Sequence, residues 1–246
     1  MKRRPFWLAL AVGGCGLINA NTLSYDYNFD VEQFSQSVGD KNQPGTLPNI
    51  PCTAGASPDP CAAMSLPSGL SAACVNNSCQ ATADIRLSYA VDLSKANTPL
   101  PSAVLQYSID HVSIKRIAYW IDLDGLNVPV PKIDIFVAAA GAKDETDRSA
   151  VQVGSVAMLP AKAVACADSV DTDAAAPSGK TVCDVPLTDA GQAALANFVK
   201  QAANPSTQVP FQLIAHTTVT AKAGDPIPSG ELQFSVHPSV SFSLLK

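Results

Sequence analysis

Leu232-Gln233-Phe234-Ser235-Val236-His237-Pro238-Ser239-Val240-Ser241-Phe242-Ser243-Leu244 is the stretch that decides the fold class. Leu232, Phe234, Val236, Val240, Phe242 and Leu244 fall on every second position, with Gln, Ser and His between them, which is the period of a strand with one wet face. Upstream, Phe211, Leu213, Ala215, Thr217, Val219 and Ala221 alternate in the same way, and Gly224-Asp225-Pro226-Ile227-Pro228-Ser229-Gly230 joins the two runs with turn residues. The expectation is a β-hairpin.

That unit has an echo. Residues 226–236 align without a gap on Pro99-Leu100-Pro101-Ser102-Ala103-Val104-Leu105-Gln106-Tyr107-Ser108-Ile109, with six positions identical. Each copy follows an alternating strand, Ile85, Leu87, Tyr89, Val91 and Leu93 in the first case. Two related hairpins forming an internal repeat are expected.

Further strands follow from the same periodicity. Leu23, Tyr25, Tyr27, Phe29 and Val31 face one way in the first strand. After Tyr107 and Ile109 the apolar phase shifts to Val112 and Ile114, then to Ile117, Tyr119, Ile121 and Leu123, which predicts β-bulges or corners in one long strand. Asp124-Gly125 turns the chain, and Val128, Val130, Ile133, Ile135 and Val137 continue beyond it; Pro129 and Pro131 suggest a sheet edge. One helix is expected: Thr188 caps it, Asp189 suits its positive end, Leu187, Gly191, Leu195, Phe198, Val199 and Ala202 make its apolar stripe, and Asn204-Pro205 stops it. The fold class is all-β, an antiparallel β-sandwich with one helix, whose first and last strands are expected to pair.

The N-terminus reads as an export signal. Basic Met1-Lys2-Arg3-Arg4 precedes an apolar run from Phe6 to Val12 that is too short to span a bilayer. Val12-Gly13-Gly14-Cys15 resembles the lipobox of bacterial lipoproteins. That resemblance covers only this segment and implies cleavage before Cys15, lipidation of the Cys15 thiol by fatty acyl chains such as palmitate, and, with Gly16 in place of Asp next to it, an outer-membrane address. Residues 1–14 would be the signal and 15–246 a single domain. The competing reading is cleavage after Ala20, giving a periplasmic or secreted protein without lipid.

Removing Lys2, Arg3 and Arg4 from the 16 basic residues leaves 13 against 21 acidic ones, a net charge of −8. An acidic body without basic or aromatic clusters excludes a nucleic-acid partner and offers anionic lipid little attraction. Membrane association would come through the N-terminal lipid.

Cysteines mark a different kind of segment. Between about residues 40 and 80 apolar periodicity vanishes, and Pro, Gly, Ser and Asn crowd around Cys52, Cys61, Cys74 and Cys79, as in a loop insert held by cross-links. Zinc would favour paired Cys-x-x-Cys knuckles, which the spacing lacks, so disulfides are expected. Three pairings are possible; short-loop closure favours Cys52 with Cys61 and Cys74 with Cys79. Cys166 and Cys183 form the remaining pair, closing a polar loop for a gain of about 3 kcal/mol. Asn76-Asn77-Ser78 reads as a turn.

Chemistry-bearing residues are sparse. Asp122, Asp124 and Asn127 are the candidate metal ligands, and calcium is the ion their oxygens would take, but the EF-hand pattern is absent and a turn accounts for Asp124-Gly125 without an ion. No other cofactor is suggested. Asp144, Glu145 and Asp147 read as a solvated loop tip. His111, His216 and His237 read as surface or strand-end residues, and no nucleophile elbow, zinc-protease helix or phosphate loop is present. The expected function is therefore a non-enzymatic envelope lipoprotein, a structural or binding module with a protein or glycan partner. A carrier holding an apolar ligand between helix and sheet is the alternative, and a hydrolase the third.

Overall fold

The alternating segments form two five-stranded antiparallel sheets, seen in a computed structural model that describes residues 22–29, 31–40, 45–95, 100, 102–166 and 179–245. The strands are β1 (Thr22–Asn28), β2 (Val31–Val38), β3 (Leu70–Val75), β4 (Ser78–Val91), β5 (Ser108–Asp124), β6 (Ile133–Ala139), β7 (Val151–Val156), β8 (Cys183–Asp184), β9 (Phe211–Ala221) and β10 (Gly230–Leu245). One sheet runs β1-β10-β5-β8, with β2 also on β10; the other runs β3-β4-β9-β6-β7. The inward faces of both sheets share one apolar core, in which Phe29, Phe211, Phe242, Ile117, Leu213 and Leu232 are fully buried. The signal, Cys15 and most of the loop between Cys166 and Cys183 lie outside the described residues.

First and last strands pair as expected, from Thr22 opposite Leu245 to Asn28 opposite Ser239. β2 then continues along the same edge of β10, from Val31 opposite Val236 to Val38 opposite Gly230. Sequence periodicity passed over β2 because Gln33, Ser35, Gln36 and Ser37 interrupt it, Phe34 and Val38 being the buried apolar residues among positions 33–38. Pro238 explains the break between β1 and β2. Its carbonyl accepts from the Phe29 N–H at 3.2 Å, but a proline has no N–H to return toward that side of the strand, so the ladder is interrupted there.

On its other side β10 pairs with β5 along its length, and the register slips three times, between Gln233 and Phe234, Ser239 and Val240, and Ser243 and Leu244. The unpaired residues on β5 are Asp122, Lys115 and Asp110. The latter two fall where the apolar phase shifts in the sequence, so the expected bulges are present. The third turns Leu123 outward, 41% exposed, and brings Asp124 inward.

The expected hairpins are not hairpins. β9 pairs with β4 and β6, whereas β10 belongs to the other sheet, so residues 222–229 arch from one sheet to the other. β4 to β5 and β5 to β6 cross likewise. Alternation reports one buried face and does not choose the hydrogen-bonding partner, and a connection of this length does not impose the pairing of a two-residue turn. Neighbouring loops instead satisfy the arch: Leu47 N–H donates to Asp225 O at 2.8 Å, Gly224 N–H to Leu47 O at 2.8 Å, and Asn127 N–H to Ser229 O at 3.0 Å.

The echoed segments also differ in conformation. Residues 230–236 are extended, while Ser102–Gln106 form a short helix, α1. One difference between the two copies is Gly230 against Ala103. Gly230 has φ +127°, and a Cβ there would lie 2.2 Å from the Gly125 carbonyl oxygen. Alanine at 103 instead suits a helical turn.

Helix α2 (Asp189–Ala203) begins at Thr188, whose hydroxyl accepts from the Gly191 N–H at 3.0 Å. Its Leu195, Val199, Ala202 and Ala203 are buried against β5, β6 and β7. Gly191 brings the helix backbone onto β7, where a Cβ would meet Val153 Cα at 2.4 Å. Pro129 and Pro131 precede β6, which lies between β9 and β7 rather than at an edge, so the edge expectation is corrected. The prolines sit in the arch, where no ladder needs their N–H groups. Gly230→Ala is expected to lower unfolding stability by at least ~2 kcal/mol in urea titration, whereas Ala103→Gly should shift it by less than about 1 kcal/mol.

Candidate functional site

The turn after β5 holds the three candidate metal ligands, and their oxygens point to separate protein partners. Asp122 accepts from the Ser235 hydroxyl at 2.6 Å. Asp124 is buried; its two oxygens accept from the N–H groups of Leu126 at 3.0 Å and Ala163 at 2.8 Å. Burial pushes its carboxyl up from the ordinary range, while those two donors oppose the shift. Asn127 gives its amide to Ile227 O at 2.9 Å and accepts from the Ser229 N–H at 2.8 Å. Asn127 thus ties the β5–β6 crossover to the β9–β10 arch, Asp124 ties its turn to the segment after β7, and Asp122 links β5 to β10. The bulge at Asp122 lies between the two carboxylates in the register, and each accepts from a different protein donor.

The cysteine-rich segment is shorter than expected, because Leu70–Val75 and Ser78–Val91 already form a hairpin over Asn76-Asn77, both with positive φ as a tight two-residue turn requires. Cys74 and Cys79 are register partners on that hairpin, so they leave one face together. Residues 50–52 lie alongside, with Cys79 N–H donating to Ile50 O at 3.0 Å and Cys52 N–H to Asn77 O at 3.2 Å. The disulfides are accordingly Cys52–Cys74 and Cys61–Cys79, with Cα atoms 5.8 and 5.4 Å apart, which corrects the pairing expected from short-loop closure. Loop-closure entropy weighs the unfolded chain; the folded insert is already docked on the hairpin, and crossed pairing ties it there. Cys166 bonds Cys183 as expected. Among the described residues the convergent group of potential metal ligands is Cys52, Cys61 and Cys79, with sulfurs within 4.8 Å, and all three are consumed in disulfides.

One polar cluster escaped the sequence reading. Asp84 and Arg86 on β4, His216 on β9 and Glu145 in the loop after β6 meet on the outer face of the second sheet. His216 Nε2 lies 2.7 Å from Asp84 Oδ1 and its Nδ1 3.3 Å from Glu145 Oε1, while Arg86 holds both Glu145 oxygens at 3.1 and 3.2 Å. Burial alone would raise the Glu145 carboxyl, but the Arg86 hydrogen bonds, with His216 nearby, outweigh it and hold the carboxyl below its usual range. Within its acidic loop, then, Glu145 is tied down rather than solvated, whereas Asp144 and Asp147 cap Thr146 and Ser149 locally. Register places Arg86 opposite His216, a long-range fact that adjacent sequence does not carry. Carboxylates thus engage both ring nitrogens of His216.

His111 is exposed, as expected. His237 is buried, edge-on to the Trp120 ring with centroids 6.4 Å apart, which corrects its reading as a wet strand residue. Ala118, Trp120 and Val182 are buried with it, so the outer face of the first sheet is covered near β8.

Beside the helix, the space that an apolar ligand would need is occupied by Leu195 and Val199, each with no exposed surface. A hollow of about 400 Å³ opens instead at its C-terminal end, walled by Leu105, Tyr107, Ile109, Lys200 and Pro205. No helix among the described residues is long and apolar enough to cross a membrane. No protein-family model, curated protein or solved structure matches the chain.

Asp124→Ala strands two buried N–H groups and is expected to cost about 2 kcal/mol or more in urea unfolding, with or without calcium; a calcium-dependent loss would restore the ion. Peptide mapping of unreduced protein is expected to recover Cys52 linked to Cys74 and Cys61 linked to Cys79, and a Cys52–Cys61 peptide would contradict the docked insert.

Proposed function

We propose that the chain is a non-enzymatic cell-envelope lipoprotein, held at the outer membrane through acylated Cys15, whose sandwich is a structural or binding module for a protein or glycan partner. Cysteine accounting carries this reading. All six cysteines downstream of Cys15 are consumed in three disulfides, a usage that belongs to an oxidising compartment. Cys15 is left over, and it closes a basic, apolar, small-residue export pattern. Several acyl chains are needed for stable anchoring, and a lipoprotein cysteine supplies them. The occupied ring nitrogens of His216 and the filled helix interface favour a module over a hydrolase or a carrier with its ligand under the helix.

Cys15→Ala is expected to abolish acylation and membrane retention and to release folded protein, read by intact mass and fractionation. Unchanged retention, or a wild-type chain beginning at Asn21 without lipid, would overturn the anchor.

A further inference from the structure

Among the described residues, the end of the sandwich where the chain enters is rich in exposed apolar side chains. Register brings Leu23, Leu244 and Ile109 side by side across β1, β10 and β5, and Leu245 beside Ser108. Of the ten large apolar side chains most exposed among the described residues, five belong to this end: Leu23, Tyr25, Leu105, Tyr107 and Leu245, each between 37 and 43% exposed. Leu23 and Tyr25 continue the core face of β1 beyond the point where the core covers it, since Tyr27 and Phe29 on that face are buried.

Charge is sparse in the segments that form this surface. Residues 22–25, 102–109, 204–206 and 243–245 contain no Asp, Glu, Lys or Arg, in a chain whose body carries an excess of acid. Lys200 borders the hollow there, its ammonium on the Asp110 carbonyl at 2.6 Å. Two tyrosines among aliphatic side chains, with a lysine at the border, is the composition of a surface that meets a headgroup layer.

Chain length says what lies opposite. Thr22, the first residue of β1, is seven residues from Cys15, and seven extended residues span at most about 25 Å. An acylated Cys15 therefore holds this end, and not the opposite one, against the bilayer. Resting on the lipoprotein reading, the geometry points to a second membrane contact: the rim of Leu23, Tyr25, Leu105 and Tyr107 seats on the bilayer interface and fixes the tilt of the sandwich above it. Leu123, as exposed as the rim but at the other end of β5, serves as the internal control; its β10 partner Gln233 is eleven residues from Leu244, the partner of Ile109, so it lies roughly 36 Å away.

Acylated protein, its lipid first verified by intact mass, would be reconstituted in phosphatidylcholine vesicles, with Tyr25→Trp, Tyr107→Trp or Leu123→Trp. Brominated phosphatidylcholine is expected to quench about half of the added emission at positions 25 and 107 and none at 123. Equal quenching at all three, or none, overturns the rim contact while the acyl mass leaves the lipoprotein reading standing; absence of the acyl mass fails that reading first. A wild-type readout guards against a variant that misfolds. Amide exchange of residues 102–109 is expected to slow roughly tenfold in vesicles relative to soluble Cys15→Ala protein, and unchanged exchange, or equal slowing in concentrated soluble protein through self-association, overturns the contact.

Discussion

Strand β10, sixteen residues long, is paired on both sides along most of its length, and most of the architecture is a consequence of that constraint. A strand so placed must present one face to the core along its whole length, which its six alternating apolar residues do. Its partners must then accommodate its defects. Pro238 removes one donor toward β1 and β2, and that edge strand breaks opposite it. β5 is longer than the stretch of β10 it accompanies, and three bulges absorb the excess while increasing twist. The residues left over at those bulges, Asp110, Lys115 and Asp122, are all charged, and none belongs to the apolar series that the core requires. Burying any one of them would cost far more than the lost ladder contact.

The fold class was legible because period-2 alternation depends only on one face being dry. Topology was not, because the same alternation suits a hairpin and an arch equally. What separates them here lies outside the segment: Leu47, Gly45 and Asn127 supply hydrogen-bond partners for residues 222–229, from distant parts of the sequence. The helix was readable because its cap, stripe and stop are all local. β2 was obscured by polar residues on an edge, where half of each ladder faces solvent.

Site residues divide along the same line. All six disulfide cysteines could be named from composition, but their pairing depended on how the insert docks, which loop entropy does not contain. Asp122 and Asp124 looked like a shared site because they are two apart; the bulge between their registers sends one to Ser235 and the other into the core. Conversely Asp84, Arg86, Glu145 and His216 span 132 residues of sequence between Asp84 and His216 and meet only because β4 and β9 pair. Such a cluster, with every charge answered, is a tie across a sheet face and between that face and a loop.

The two ends of the sandwich are secured by different physics. Near the start of β10 the arch hydrogen bonds and the docked insert converge: Ala81 on β4 pairs with Ala221 just before the arch, and the Cys61–Cys79 and Cys52–Cys74 bridges lie immediately beyond. The insert buries little apolar surface of its own, three cysteines with Ile50, Met64 and Ala72 around them, so covalent closure substitutes for a core. At the other end of β10 no disulfide is present among the described residues, and apolar side chains reach the surface uncovered. A chain that spends cross-links on one end and leaves the other bare has a direction built into it. The bare end is the one that continues, within a few residues, into Cys15.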